Sequence, residues 1–358
     1  MNTLERFNRT MDYGHPDRAF FHELMWDAWP ETIERWRREG GYDPKRTDFG
    51  NDRWVCEFWW FFPHPPFDRR IVAEDETCVT YVAPEGFVVR EFKVNPLSSM
   101  PQFIRFPVGN REEFRQFWRE RMRPDLVGRL GPDWREKLRR HRDRDYPFVV
   151  VADKWGGFFG PLRNLVGVER LCTLFYDDPA FVEEMMDADA EFLIAILSQM
   201  LEETDIDVFG FWEDMCYRAG PLLSPAMVRK YMLPRYRKVI EFGRSHGVHH
   251  FSLDSDGDID LLIPVWLDAG IDILYPFEVQ AGMDVLAIRK KYGRSLRIWG
   301  GFDKRVLAKG EAAIDQELQR ITPLIRDGGY IPMLDHGATP DVPYKNYCYF
   351  LEQLKKCL

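Results

Sequence analysis

The sequence predicts a single α/β domain over residues 1–358: a (β/α)8 TIM barrel with an inserted β-hairpin and extra N-terminal helices. Three observations predict it. Five apolar runs end at once in carboxylates or histidine: 208–214 (VFGFWED), 248–258 (VHHFSLDSDGD), 273–278 (ILYPFE), 297–303 (RIWGGFD) and 330–337 (YIPMLDHG). That is the pattern of the catalytic end of a parallel strand. Six strand-then-helix units fit between 147 and 358, and two more strands can come from the first 62 residues. Eight such units close a barrel. Finally, neither GxGxxG nor GxxxxGK[ST] occurs, which weakens the alternative of a doubly wound nucleotide-binding sheet.

The elements follow in order. LERFNRTMDYGHPDR reads as a short helix ended at Gly14. Residues 19–23 are a candidate first strand, and 27–39 a helix with Trp29, Ile33 and Trp36 on one face. The run 54–62 (WVCEFWWFF), bounded by Pro63, Pro65 and Pro66, is either a buried strand or a loop over a pocket. Residues 70–94 alternate on both sides of a Pro84–Gly86 turn, which predicts the inserted hairpin. Asn110 can cap a helix to 122, and 123–146 reads as basic, exposed helix. Strands are expected at 148–152, 206–211, 248–253, 271–275, 296–299 and 330–334. Helices are expected at about 161–175, 179–203, 224–245, 259–268, 283–291, 311–326 and 343–356.

Composition excludes several classes. Hydrophobic residues make 45% and charged residues 30%, a globular balance with ample core. A net charge of −9 argues against a nucleic-acid partner. The basic run 135–144 reads as a solvated helix face. No apolar run approaches the roughly 20 residues of a membrane span. Six cysteines without CxxC spacing, and no signal peptide, lead us to expect free thiols in the cytoplasm. Oligomeric state is left open by the sequence.

At a barrel mouth the strand-end groups would converge: Lys154, Glu213, Asp214, Asp254, Asp256, Glu278, Asp303, Asp335 and His336. Such a set suits a metal held by oxygens and one imidazole, or metal-free acid–base work by carboxylates that raise one another's pKa. Bland roles compete. Asp256 and Asp258 can cap the next helix, Asp303 can shape its turn, and Asp214 can be a solvated loop charge. His249 and His250 start their strand, at the wrong end for chemistry, and Cys216 reads as a buried thiol. His336, followed by Gly337, is the strongest functional candidate; Asp335 or a nearby carboxylate would hold its second nitrogen.

These residues carry a resemblance. ERFNRTMDYGHPDR at 5–18, GPLLSPAMVRKYMLPRYRKVIEFGRSHGV at 220–248, LDSDGDI at 253–259, GGFDKRVLAKG, and GGYIPMLDHGATPDVP resemble the uroporphyrinogen decarboxylase superfamily of TIM barrels. That superfamily holds decarboxylases of haem biosynthesis and corrinoid-dependent methyltransferases. The decarboxylases' RQAGR is absent here, although His336 matches their C-terminal histidine. The methyltransferases' zinc-binding His-x-Cys is replaced by Asp254-x-Asp256, and their later Cys falls at or beside His336. The 220–248 segment is closer to the methyltransferase branch.

The resemblance implies a methyltransferase moving a methyl group between a small-molecule substrate, such as a methyl ether, and a corrinoid on a partner protein. Zinc would be held by Asp254, Glu278, His336 and Glu213, with His336, Asp256 and Glu213 as catalytic groups. No DxHxxG cobalamin segment occurs in this chain. The alternatives are a metal-free decarboxylase acting on a porphyrinogen or other carboxylated substrate, and a barrel that binds without catalysing.

Overall fold

The computed structural model describes residues 1–23, 28–45, 47–57, 59–94 and 100–358. In chain order its strands are β1 (Val55–Glu57), β2 (Arg70–Glu74), β3 (Cys78–Val82), β4 (Val88–Phe92), β5 (Gln102–Arg105), β6 (Phe148–Val151), β7 (Val208–Trp212), β8 (Cys216–Tyr217), β9 (Gly220–Pro221), β10 (His250–Asp254), β11 (Ile273–Tyr275), β12 (Arg297–Trp299) and β13 (Tyr330–Ile331). Seven of them form one curled parallel sheet in the order β1-β6-β7-β10-β11-β12-β13. Sequential strands are neighbours throughout, as strand–helix–strand crossovers dictate.

The strands alternate as a barrel wall requires. Along β10, Phe251 and Leu253 join the outer core under the helices. A second, inner cluster gathers Val149, Val208, Ile273, Tyr275, Trp299 and Ile331 from five strands, so much of the concave face is packed. The helix Thr3–Met11 closes its lower end by inserting Phe7 and Met11 into that cluster. No helix of the described residues is long and apolar enough to cross a membrane.

Several expectations change. Residues 19–23 form no strand. They keep the in–out alternation, with Phe20 in the inner cluster and Ala19 and Phe21 in the outer one. Their hydrogen bonds go elsewhere: Phe21 N–H donates to the Asp52 carboxylate (2.9 Å) and Phe20 N–H to Thr10 Oγ1 (2.9 Å). Among the described residues no strand ladder joins β13 to β1, so an eight-stranded closure is not seen. The predicted hairpin is part of a larger insert, the four-stranded antiparallel sheet β2-β3-β4-β5. Its fourth strand lies beyond the range the turn signal marked.

The second expected helix runs Pro30–Gly40; its expected start at Asp27 lies outside the described residues. The run 54–62 divides into β1 and a 3-10 turn at Trp59–Phe61. The expected helix over 161–175 breaks at Gly167, whose φ is +85°, into Gly160–Val166 and Val168–Asp177. The basic run 135–144 is not simply solvated. Arg139 pairs with Glu203 (2.6 Å), Arg144 pairs with buried Asp207 (2.6 Å), and Trp134 and Leu138 are core.

Candidate active site

Asp254 ends β10 and stands in register with Trp212 on β7 and Tyr275 on β11. Its side chain faces inward at the carboxyl end of the sheet. It is buried, and among the described residues no hydrogen bond reaches its carboxylate. Burial first, then Asp256, Asp214, Asp153 and Glu278, push its pKa well above the usual carboxylate range. Asp256 is pushed up to about 7 by burial and by Asp214 and Glu278, with Lys304 and Arg163 opposing. The pair therefore holds a proton near neutral pH.

Gly257 makes the turn between them and the next loop. Its φ is +83°, and a Cβ there would lie 2.6 Å from the Cys216 carbonyl oxygen, so only glycine fits. Its N–H donates to Glu278 Oε2 (2.9 Å), tying the loop after β10 to the loop after β11.

His336 lies across the mouth, its Nε2 3.9 Å from Asp256 Oδ2. Its Nδ1 accepts from the backbone N–H of Gly337 (2.8 Å). Burial and Lys304 lower its pKa, with Glu278 and Asp214 opposing, so the ring is neutral at pH 7. A neutral imidazole that accepts at Nδ1 carries its proton on Nε2 and presents an N–H toward Asp256. Asp335 does not hold this ring as expected. Its carboxylate accepts from Val279 N–H (3.0 Å) and Lys304 N–H (3.1 Å), bracing three loops, and burial lifts its pKa to about 6.

Glu213 is the main departure. It ends β7 as expected, but its carboxylate turns away from the mouth. It accepts N–H bonds from Phe158 (2.7 Å), Phe159 (2.6 Å) and Gly160 (2.9 Å) and a bond from the Tyr236 hydroxyl. It is a clamp for the loop after β6, not a group that meets Asp254, Glu278 and His336. Burial lifts its pKa to about 7, against those four donors.

The remaining candidates divide. Asp214, with φ +39°, pairs with Arg163 (2.8 Å) and is no solvated charge. Asp303 accepts from Arg305 N–H (3.0 Å) and pairs with its guanidinium (2.8 Å), the turn-shaping role. Asp258 accepts from Asp260 N–H (3.1 Å), a cap-like role. Lys154 is held through its carbonyl by Asn164 (2.8 Å). His250 bonds Asp272 (2.8 Å) at the lower end, as expected.

Sequence reasoning missed Asp153, Tyr275, Cys56 and His22. Asp153 has φ +47° and a pKa raised by burial, and it contributes to the field on Asp254. Burial first, then Asp254, Cys56 and Asp153, raise the pKa of Tyr275, with Ser252 opposing. The period-2 pattern of 54–56 and 273–275 was the available signal; it places Trp54, Cys56 and Tyr275 inward.

The zinc set can be tested against this geometry. Among the described residues no three His, Cys, Asp or Glu converge as ligands. Glu213 is saturated by four donors, and His336 offers a proton rather than a lone pair at Nε2. The residues present do not fit a four-ligand zinc site.

A curled parallel α/β sheet with buried carboxylates and an imidazole at its carboxyl ends has the architecture of a barrel enzyme. The chain belongs to the uroporphyrinogen decarboxylase (URO-D) family, whose profile matches residues 136–357. It superposes on a methyltransferase from Methanosarcina mazei with a TM-score of 0.62 and 16% identity, covering 99% of both chains, which is a likeness of fold. More distant are a B12-independent methionine synthase from Shewanella sp. W3-18-1, solved with selenomethionine (TM-score 0.44, 12% identity, 94% of this chain and 96% of that one), and a putative vitamin-B12-independent methionine synthase from Listeria monocytogenes (0.39, 9%, 62% and 68%). No curated protein matches significantly.

Proposed function

We propose that the chain is a methyltransferase that moves a methyl group between a small substrate in the acidic mouth and a corrinoid carried by a separate protein. The observation that carries it is Asp254: a buried carboxyl that accepts no hydrogen bond among the described residues, its pKa raised by burial and by Asp256, which itself lies 3.9 Å from His336 Nε2. When a carbon–heteroatom bond to methyl breaks, the leaving atom keeps the electron pair and needs a proton. Asp254 and Asp256 hold that proton at neutral pH, and His336 orients or relays it. A corrinoid docked at the mouth would supply the low-valent metal that accepts methyl. Methyl ethers suit this reading, since an alkoxide is a poor leaving group until its oxygen is protonated. The whole-chain likeness to a methyltransferase fold and the 220–248 segment support it. Six free cysteines support a reducing compartment, the cytoplasm.

One observation favours a second reading, decarboxylation. The same neutral carboxyls can protonate carbon after carbon dioxide leaves, and Lys304 acts on both Asp256 and His336, where it can meet a substrate carboxylate. A panel of methylated substrates, assayed with and without a reduced corrinoid, separates the two. We expect demethylated product that requires the acceptor and survives chelation. Carbon dioxide release without acceptor establishes the second reading; loss of turnover on chelation, restored by zinc, overturns the metal-free chemistry.

A further inference from the structure

The inward side chains below the acidic rim are unevenly covered. On one side of the lumen Tyr275, Trp299 and Met333 are fully buried. On the other, Trp54, Cys56 and Val151 are only half-buried, although they pack on the same inner cluster. An inward side chain keeps part of its surface exposed only where the space beside it is open. This opening is lined by aromatic rings: Trp54 meets Trp299 edge-on (5.8 Å between centroids), and Trp299 stacks on Tyr275 (5.6 Å).

His22 faces the same space. It follows the alternation of 19–21, in which Phe20 points inward, and its ring lies on Trp54 at 4.5 Å. The next residue, Glu23, accepts from Leu334 N–H (3.2 Å), which sets this segment two residues before His336. His22 Nδ1 is 2.9 Å from the Asp52 carbonyl oxygen. A carbonyl can only accept, so Nδ1 carries the proton and the neutral ring presents a lone pair at Nε2. Among the described residues Nε2 has no hydrogen-bond partner. Burial lowers the pKa of this ring and keeps it neutral. The two histidines are thus opposite in polarity: His336 shows a donor, His22 an acceptor.

We propose that this half of the lumen is a binding subsite for a flat, apolar ring that carries a hydroxyl or N–H donor, the ring lying against Trp54 and Val151 and the donor meeting His22 Nε2. Flat apolar groups gain most from such walls, and one placed acceptor fixes their orientation. The subsite holds its ring whichever group the acidic rim transfers, so it goes beyond the reaction proposed above.

Calorimetry and ligand-observed NMR on the full chain test it, with phenol and anisole as probes and no corrinoid present. Failure of methyl transfer therefore cannot affect the readout. Phenol is expected to bind with a Kd of ~1 mM or below, and anisole, which lacks the donor, about tenfold more weakly. His22→Phe keeps a ring against Trp54 and is expected to bring phenol down to the affinity of anisole while leaving anisole unchanged. Val151→Trp fills the space and is expected to abolish both, with the melting temperature reporting that it folds. Absence of phenol binding in this range overturns the proposal. So does His22→Phe with unchanged phenol affinity, or a folded Val151→Trp that binds both probes normally.

Discussion

Glu213 and Asp254 are neighbours in almost every respect. They sit at or just past the ends of adjacent parallel strands, the Glu213 N–H donates to the Asp254 carbonyl (2.9 Å), and both side chains are buried. They differ in donors. Glu213 accepts four hydrogen bonds, three of them from the first residues of one helix and the loop before it. Asp254 accepts none among the described residues and faces four other carboxylates. A buried carboxylate saturated with donors is part of the scaffold. One starved of them must hold a proton or await a ligand. The comparison teaches that position at a barrel mouth nominates a residue, and the hydrogen-bond complement assigns its role.

The largest expected effect breaks the comparison from the Asp254 side. Asp254→Asn keeps the shape and removes the proton-sharing site, so kcat/KM should fall about a thousandfold. The melting temperature should hold or rise, because a strained ionisable group is gone. An Asn variant with near-normal turnover would make Asp254 a structural residue like Glu213. His336→Ala should leave the fold intact and cost roughly a hundredfold in kcat/KM. Metal content measured on the same samples should be equal in wild type and variant; loss of a bound ion only in the variant would make His336 a ligand.

Glu213 should behave in the opposite way. Glu213→Ala leaves three buried N–H groups without an acceptor, and stability should drop by about 3–5 kcal/mol in chemical denaturation. Any activity lost should track the unfolded fraction. A stable, inactive Glu213→Ala would return this residue to the chemistry.

The smallest effect is a pH slope. Asp256 is raised to about 7 and Asp335 to about 6 in the folded chain. Their unfolded values are near 4. Between those limits the folded state binds more protons, so stability falls as pH rises from about 4 to about 7. Melting temperature should be higher at pH 5 than at pH 7.5, and Asp256→Asn should flatten part of that slope. An unchanged slope in Asp256→Asn and Asp335→Asn would place the proton elsewhere.

The curled parallel strand-and-helix order was legible because its evidence is local, although the eight-stranded closure expected with it is not seen among the described residues. Apolar runs of strand length, helical spacing between them and strand-end charges all lie within short windows, and the expected strands from 148 to 331 appear. The contrast between Glu213 and Asp254 was not legible. Three of the four donors that saturate Glu213 come from Phe158–Gly160, more than fifty residues earlier, and nothing in FWED announces them. His22 was hidden for a related reason. Its tautomer is set by the carbonyl of Asp52, and its inward direction by an alternation too short to separate from a turn. Asp335 looked like the partner of His336 because the two are adjacent. Consecutive residues past a strand point apart, so adjacency in sequence was evidence against the pairing.

The missing ladder beside β1 gives the wall a seam. Residues 19–23 stand where an eighth strand would stand, and they are held by a knot of charges: buried Asp52 accepts from Arg6 Nη1 (2.8 Å), from both ends of the Arg18 guanidinium (2.7 and 2.8 Å) and from Phe21 N–H. Amide ladders open cooperatively, whereas a side-chain knot can let go at one place. Deuterium should therefore enter the amides of β1 and β13 before those of β7 and β10. Ring closure joins the first twenty-odd residues to strands some three hundred positions later, the longest loop the chain must close. The wall can curl before its gap is filled, and the N-terminal segment that fills it brings His22 into the lumen. Closing the wall and furnishing the lumen are then one event in folding.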